Sequence, residues 1–288
     1  MKNVLKLELK KAIKNTNFLV CILVGSLLCI ASAVMQIQAY EQHAAVMGSV
    51  QKSKYIINTM LEVETFYNSW IGMDGFSLFN SLFYTFMPLI CTLPFAWSYN
   101  KERNICYEHN MVIRCGRNRY YAAKYLATFI SGGLAVLLPI VINVLLVAMV
   151  IPGYTSTIDY ALYIGIQYPM IWSQIFYTNP LLYVILYLLL TFIFCGLMAA
   201  FGMCISYFTR NKVAALIVPF FVCSALGVME LLFAFNKDGV TLSPVVFLHP
   251  TPTGGYQNAW WVILLEGGIL TAFTIISTYI RGRKHEIY

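Results

Sequence analysis

Long apolar stretches alternate with short polar segments along this chain of 288 residues. Six of the stretches reach about 20 residues, the length that a helix needs to cross the hydrocarbon core of a bilayer. They lie at residues 18–37, 76–97, 127–151, 181–207, 213–235 and 260–280. The pattern predicts an all-α integral membrane protein, with six transmembrane helices forming a single domain over residues 1–288.

Composition supports the same prediction. Hydrophobic residues make up 59% of the chain and charged residues only 11%, whereas a soluble domain carries about 25% charged residues. Too few charges remain to cover a soluble surface of this size, which argues against an ordinary soluble enzyme. The eight cysteines fall in predicted spans or in one inner loop, so the sequence has neither a secreted disulfide framework nor the Cys and His spacing of a zinc site.

The basic residues predict how the chain is oriented, because cytoplasmic loops of membrane proteins carry an excess of Lys and Arg. All but three of the 19 Lys and Arg residues fall on one side of the predicted spans, the exceptions being Lys52, Lys54 and Lys237. Both termini are therefore predicted to be cytoplasmic, as an even number of spans also requires. Topology accounts for the net charge of +7, and the chain has no basic soluble domain for nucleic-acid binding.

The first sixteen residues have the pattern of an amphipathic helix. Apolar residues recur at helical spacing, and lysines recur every fourth residue on a neighbouring face. These lysines are Lys2, Lys6, Lys10 and Lys14. We expect a helix on the cytoplasmic leaflet with its lysines at anionic head groups. The alternative is a basic tail that only fixes the topology.

Two carboxylates interrupt the predicted spans, Glu230 in the fifth and Glu266 in the sixth. The two spans run in opposite directions, which places both side chains roughly 9 Å inside the outer membrane edge at about 1.5 Å per residue. Carboxylates at such a depth usually face a bundle interior or a cavity. One hypothesis makes them cargo or ion contacts in an outer pathway, near Asn143 and His249. The alternative is that they are hydrogen-bonded or protonated between helices.

The longest cytoplasmic loop, residues 98–124, carries charges of both signs. Residues 104–113 within it are predicted to form a short helix parallel to the membrane, which would suit docking of a soluble partner. The candidate docking residues in and beside this helix are Glu102, Arg103, Glu108, Arg114, Arg117, Arg119 and Lys124.

Two parts of this loop resemble the permease subunits of ABC-2-type transporters. One is Lys101-Glu102-Arg103, directly after the second span, and the other is residues 114–124, which enter the third. The tight turn at residues 209–212 and the helix-breaking outer segment between spans five and six are similar to that family's inner turn and re-entrant outer gate. The resemblance implies a coupling helix between spans two and three, re-entrant outer helices between spans five and six, and a second permease copy, identical or different, to complete a pathway.

The function that the resemblance implies is the permease of a bacterial ABC exporter in the plasma membrane. Its cargo would be amphipathic, such as an antimicrobial or cytolytic peptide, a lipid or a drug. Two separate cytoplasmic ATPase subunits would bind ATP and Mg²⁺, because this chain has no Gly-x-x-x-x-Gly-Lys-Ser/Thr loop. The chain itself is expected to be non-catalytic and to bind no cofactor or metal. A sodium-extruding ABC permease and a non-transporting six-span protein, such as an immunity or sensor partner, remain alternatives.

Overall fold

The protein is described by a computed structural model, in which helices account for 81% of the described residues and no β-strand occurs among them. The described residues are 2–51, 64–75, 77–156, 164, 166, 170–209, 211–233, 241–251 and 259–283. In chain order the helices are α1 (Lys2–Ile13), α2 (Thr16–Gln51), α3 (Leu78–Thr92), α4 (Ser98–Asn104), α5 (Tyr107–Cys115), α6 (Arg117–Val150), α7 (Ser173–Thr178), α8 (Pro180–Phe208), α9 (Lys212–Phe233), α10 (Pro244–Phe247) and α11 (Trp260–Arg283). The all-α prediction is confirmed.

Five of these helices, α2, α6, α8, α9 and α11, are long and apolar enough to cross a membrane, as in a multi-pass membrane protein. The second predicted span is instead the 15-residue helix α3, about 22 Å long at 1.5 Å per residue. That length falls short of a hydrocarbon core of about 30 Å. Pro94 directly follows the cap of α3 and disfavours its continuation, and the chain turns through residues 93–97 before α4. A membrane crossing by α3, which would be the sixth, stays a prediction.

Small residues let α6 and α8 pack closely at the centre of the bundle. A Cβ atom added at Gly132 of α6 would come within 2.2 Å of the Cβ atom of Ala199 in α8. Gly133 lies against Phe192 in the same way, and Gly196 lies against the α6 backbone. Close approach of this kind is how membrane helices gain contact area where the hydrophobic effect is weak.

The short helices α1, α4 and α5 lie at one end of the bundle, which we call the basic end. The chain segments there are joined by hydrogen bonds: Asn100 Nδ2 donates to the carbonyl of Asn211, just before α9, over 3.2 Å. Arg281 Nε near the end of α11 donates to the hydroxyl of Tyr99 in α4, also over 3.2 Å. The ends of α8 and α11 and the beginnings of α2, α6 and α9 therefore lie at the same end as α1.

Irregular segments fold into the bundle at the opposite end. Trp70 and Ile71 in residues 64–75 are buried, and so are Phe247 and Leu248 in residues 241–251. The ring of Phe247 packs edge-on against Phe194 of α8, with centroids 5.0 Å apart. Irregular backbone at membrane depth is tolerated where protein covers it in this way. Between α9 and α11 the described residues contain the single turn α10, and residues 234–240 and 252–258 lie outside the described residues. The re-entrant outer helices stay a prediction.

Candidate functional site

Four acidic and basic side chains at the basic end form a closed ring that joins α1, α4 and α6. Glu8 and Lys124 are fully buried, and Glu102 is nearly so. Lys124 Nζ lies 2.7 Å from a Glu102 oxygen and 3.3 Å from a Glu8 oxygen. Lys11 Nζ lies 3.0 Å from the other oxygen of Glu8 and 3.4 Å from that of Glu102. Two ammonium groups thus alternate with two carboxylates, and the ring has no net charge.

Helical spacing explains how α1 contributes to this ring. Lys11 and Ala12 lie three and four residues after Glu8, so both are its neighbours on one face of the helix. Ala12 packs with Phe95 and with Ala127 of α6, which brings the carboxylate of Glu8 to the ammonium of Lys124. A helix is therefore present over most of the predicted segment, and its face with Glu8 and Ala12 packs against the bundle; its position on a membrane leaflet stays a prediction. The four lysines at positions 2, 6, 10 and 14 are exposed.

Hydrogen bonds and neighbouring charges favour the charged forms of two ring members, Glu102 and Lys11. Burial opposes the ionisation of Glu102, but the charge and hydrogen bond of Lys124 and the hydroxyl of Tyr120 outweigh burial and lower the pKa of Glu102 below its usual value. Burial also opposes the charge on Lys11, but its hydrogen bond with the Tyr107 hydroxyl and the nearby carboxylates raise the pKa of Lys11. Both groups are charged at neutral pH. A buried ring of this kind constrains how helices can dock, because each charge needs its partner.

A second set of contacts fixes α5 to the bundle. The carboxylate of Glu108 accepts a hydrogen bond from the hydroxyl of Tyr99 over 3.0 Å and another from the hydroxyl of Tyr121 in α6. Tyr99 in turn accepts from Arg281 of α11. Met111, one turn after Glu108, is buried with these rings. The inner face of α5 thus contacts α4 and α6, and its Tyr99 partner contacts α11.

The opposite face of α5 is exposed. Residues Cys106 and Gly116 flank the helix with positive φ angles of 53° and 81°, so the chain bends sharply on both sides of it. His109, Ile113 and Arg114 are exposed, and Ile113 has 79% of its surface accessible. A short helix with an anchored inner face and a mixed apolar and basic outer face is suited to contact with another protein.

The structure divides the predicted docking residues into two groups. Glu102, Glu108 and Lys124 point into the bundle and anchor the segment. The arginines are exposed or half-exposed at the surface, and they are Arg103, Arg114, Arg117 and Arg119. The sequence prediction treated all seven as docking residues and did not separate anchors from surface.

Several residues of the site are absent from the sequence prediction. They are Glu8, Lys11, Tyr99, Tyr107, Tyr120 and Tyr121. Glu8 offered one signal, because it is the single acidic residue in a helix with four lysines and lies one turn before Ala12. The tyrosines are buried polar aromatics whose hydroxyl groups need partners, but their partners come from distant parts of the chain.

Glu230 and Glu266 lie towards the opposite end. One oxygen of Glu230, which is buried, accepts hydrogen bonds from the backbone N–H groups of Leu242 and Ser243 at 3.1 and 3.2 Å. Glu266 is half-buried, and within the described residues one of its oxygens is buried without a hydrogen-bond partner. The two carboxylates are close enough for their charges to interact. The backbone contacts fit the structural alternative for Glu230, and a cargo or ion contact at Glu266 stays a prediction.

Asn143 and His249 make contacts of their own. The fully buried Asn143 accepts from the N–H of Ile71 over 2.8 Å and donates to the carbonyl of Cys29 over 2.7 Å, so it ties α6 to α2 and to residues 64–75. His249 Nε2 lies 2.7 Å from the side-chain nitrogen of Asn80 in α3. Burial lowers the pKa of His249 to about 4, so the ring is neutral at pH 7 and accepts from Asn80. Asn143 and His249 thus have partners of their own, and an outer pathway that they share with Glu230 and Glu266 stays a prediction.

A family model described as a protein of unknown function (DUF2705) matches residues 27–287. No curated protein and no solved structure matches the chain. The matched range includes the anchors Glu102, Glu108 and Lys124, whereas α1 with Glu8 and Lys11 lies before it. Among the residues that the structure describes, no three His, Cys, Asp or Glu side chains come together as metal ligands.

Proposed function

The chain belongs to the DUF2705 family of unknown function, and we propose that it is the permease subunit of an ABC exporter in the plasma membrane. In this proposal the basic end faces the cytoplasm, and the six apolar helices, α3 included, form one half of the pathway. A second permease copy forms the other half. Two cytoplasmic ATPase subunits bind ATP and Mg²⁺, and this chain catalyses no reaction itself.

The observation that carries the proposal is the attachment of α5. Its inner face is held by Glu108 and Met111, and only residue 116 separates its end from α6, a helix of 34 residues. A displacement of α5 by a bound protein therefore reaches α6 without passing through a flexible linker. An ATPase that binds the outer face of α5 could move a membrane helix in this way, which is the mechanical task of a coupling helix.

The buried ion ring extends this attachment to α1. Glu102 in α4 binds Lys124 in α6 and Lys11 in α1, so that α1, α4 and α6 respond together. The exposed lysines of α1 face away from the bundle, where anionic head groups would attract them. We propose that α1 lies at the cytoplasmic surface of the membrane and follows the movement of α4 and α6.

An amphipathic cargo, such as a cytolytic peptide, a lipid or a drug, fits the aromatic character of the opposite end. Trp172 packs edge-on against Tyr187 of α8 and against Trp260 at the start of α11, with centroids 5.3 and 4.9 Å apart. Aromatic side chains of this kind contact both apolar and polar groups. This supports the export of amphipathic molecules over that of small hydrophilic ones.

A sodium-extruding permease is the second candidate, and Glu266 is the observation that favours it. One of its oxygens is buried without a hydrogen-bond partner among the described residues, the charge of Glu230 acts on Glu266, and carboxylate oxygens are ligands that hard cations prefer. Stimulation of the partner ATPase by peptides, lipids and Na⁺ separates the two candidates. Glu266→Gln should abolish stimulation by Na⁺ in a sodium permease, and it should leave stimulation by peptides intact in a peptide exporter.

The proposal is tested by purifying the chain from its native membranes and identifying what remains bound. An ABC ATPase should be recovered in stoichiometric amounts with the wild-type chain. Ile113→Glu and Arg114→Glu should each reduce its recovery about tenfold, which corresponds to about 1.4 kcal/mol of binding free energy. Lys212→Glu is the matched control, because it reverses an exposed charge at the same end outside α5.

Either of two results would contradict the proposal. The first is a wild-type chain that is purified without any ATP-binding subunit. The second is an ATPase whose recovery falls equally with Lys212→Glu and with the two α5 variants.

A further inference from the structure

An open pocket of about 420 Å³ lies at the basic end, between the junction of α1 with α2 and the junction of α3 with α4. Its volume falls within the range of about 300–1,000 Å³ that is usual for small-molecule sites. The hydrogen bond from Asn15 Nδ2 to the carbonyl of Pro94, 2.8 Å long, joins the two sides. Packing of Ala12 against Phe95 holds them in the same arrangement. The pocket is therefore formed without a ligand.

The pocket brings together more positive charge than the chain neutralises. Lys11, Lys14 and Lys101 all line it, and Glu102 is the one carboxylate among its lining residues. Glu102 is already paired with Lys124 and Lys11. Lys14 and Lys101 are exposed, and no ion pair joins either of them to a carboxylate within the described part of the chain. Ammonium groups gathered in this way repel one another, so an anion placed between them would be attracted.

Ser98 provides a second, independent indication of a ligand. Ser98 lines the pocket, and the residue is 92% buried. Its hydroxyl has no hydrogen-bond partner among the described residues. Buried hydroxyl groups in proteins are normally hydrogen-bonded. An anionic oxygen in the pocket would accept from this hydroxyl and satisfy it.

The remaining walls of the pocket are apolar. Phe95, Trp97 and Ile105 line it, and the ammonium of Lys101 lies 5.9 Å from the ring centroid of Trp97. A site with ammonium groups beside apolar and aromatic surface suits a ligand that carries both a charged group and an apolar part. Phosphate is a charged group that lysines commonly bind, each acting as a point charge.

We propose that this pocket binds a phosphate group, with Lys14, Lys101 and Ser98 as donors and Trp97 and Ile105 as the apolar wall. The phosphate belongs to the head group of an anionic phospholipid or to a soluble phosphate compound, since the same donors recognise both. Occupation of the pocket would hold α1 against α4. The inference concerns the chain alone and does not depend on an ATPase partner.

The test uses the full chain in neutral detergent. Ligand retention is measured by native mass spectrometry and by the shift in the midpoint of thermal unfolding. The probes are phosphatidylglycerol, phosphatidylcholine and inorganic phosphate. The Lys14→Gln/Lys101→Gln double variant should weaken binding of the retained anion at least about tenfold, because it removes two charge-assisted hydrogen bonds. Ser98→Ala should weaken it severalfold.

Arg114→Gln/Arg119→Gln is the matched control, because it removes the same charge from exposed positions at the same end, outside the pocket. It should leave the affinity within about twofold of the wild type, as expected for sites that make no contact. Lys14 and Lys101 are exposed, so the double variant should fold, and its unfolding midpoint without ligand should match that of the wild type.

Retention of phosphatidylglycerol with no response to inorganic phosphate supports the proposal and identifies a lipid head group as the ligand. A response to both probes supports it and shows that a soluble phosphate suffices. Both lipids carry a phosphate group, so equal retention of phosphatidylglycerol and phosphatidylcholine that the Lys14→Gln/Lys101→Gln variant leaves unchanged, with no response to inorganic phosphate, would overturn it. A control variant that weakens binding as much as the pocket variant would also overturn it, since the attraction would then be unspecific.

Discussion

Removal of the ammonium of Lys124 tests whether the buried ion ring holds α1, α4 and α6 together. Lys124 is fully buried and lies 2.7 Å from Glu102 and 3.3 Å from Glu8. Lys124→Met keeps a side chain of similar length, but it leaves two carboxylates with Lys11 as their one remaining ammonium. Removing one partner of a buried ion pair costs roughly 3–5 kcal/mol, and we expect the free energy of unfolding to fall by about that amount.

A double-mutant cycle separates the ring from simple loss of packing. Glu8→Gln combined with Lys124→Met leaves Lys11 with Glu102, so the ring is neutral again. The cost of the double variant should therefore be lower than the sum of the two single costs by about 1–3 kcal/mol. Chemical unfolding of the full chain in detergent, followed by circular dichroism, measures all four forms. Lys10→Met removes an exposed lysine from α1 and should cost less than about 0.5 kcal/mol.

Additive costs in this cycle would refute the reasoning, because they would mean that Glu8 and Lys124 do not interact. A cost below about 1 kcal/mol for Lys124→Met would refute it as well, since no uncompensated carboxylate would then remain buried.

Three further predictions concern the helical bundle and its opposite end. The pKa of His249 is lowered from 6.5 to about 4, so the unfolded chain binds this proton more strongly than the folded chain does. The free energy of unfolding should therefore fall by up to about 3 kcal/mol as the pH drops from 6.5 to 4. Measured by pH-dependent unfolding, the His249→Gln variant should lack this decrease. Asn143→Ala leaves two buried backbone groups unpaired and should lower the free energy of unfolding, measured by chemical unfolding, by about 2–4 kcal/mol. Asn110 is exposed, and Asn110→Ala should cost under about 0.5 kcal/mol. Equal costs would contradict the hydrogen bonds assigned to Asn143. Gly132→Ala should lower the free energy of unfolding by about 1–3 kcal/mol through overpacking. Gly268→Ala should be nearly neutral, because a Cβ atom added there meets nothing within 4 Å. Similar unfolding midpoints for the two variants would refute the close approach of α6 and α8.

Hydrophobic length was sufficient to locate the long helices, because about 20 consecutive apolar residues serve as their signal. It misjudged α3, whose predicted span continued through Pro94 to residue 97, whereas the helix ends at Thr92. It also ended the first span at residue 37, although α2 continues to Gln51. Hydropathy marks where apolar residues stop, and helical backbone continues until a residue or a contact interrupts it.

The predicted docking segment did not separate residues that face the bundle from residues that lie at the surface. Charge pattern located residues 102–124, but the face that each side chain takes depends on packing between distant elements. Glu8 meets Lys124 across 116 positions of sequence, and that contact exists because Ala12 packs against α6. At the opposite end, Asn143 binds backbone groups of Cys29 and Ile71. Backbone groups are present at every position, so the sequence contains no signal for these partners.

The central claim is that the outer face of α5 binds an ATPase, and site-specific photo-crosslinking in native membranes tests it most directly. A photoreactive amino acid in place of Ile113, which is 79% exposed on α5, should crosslink to an ATP-binding subunit. The same amino acid in place of Leu264, 68% exposed on α11, should not crosslink to that subunit. Crosslinking to the ATPase from position 113 alone is the predicted result. Its absence at position 113, or equal yields at both positions, would contradict the account.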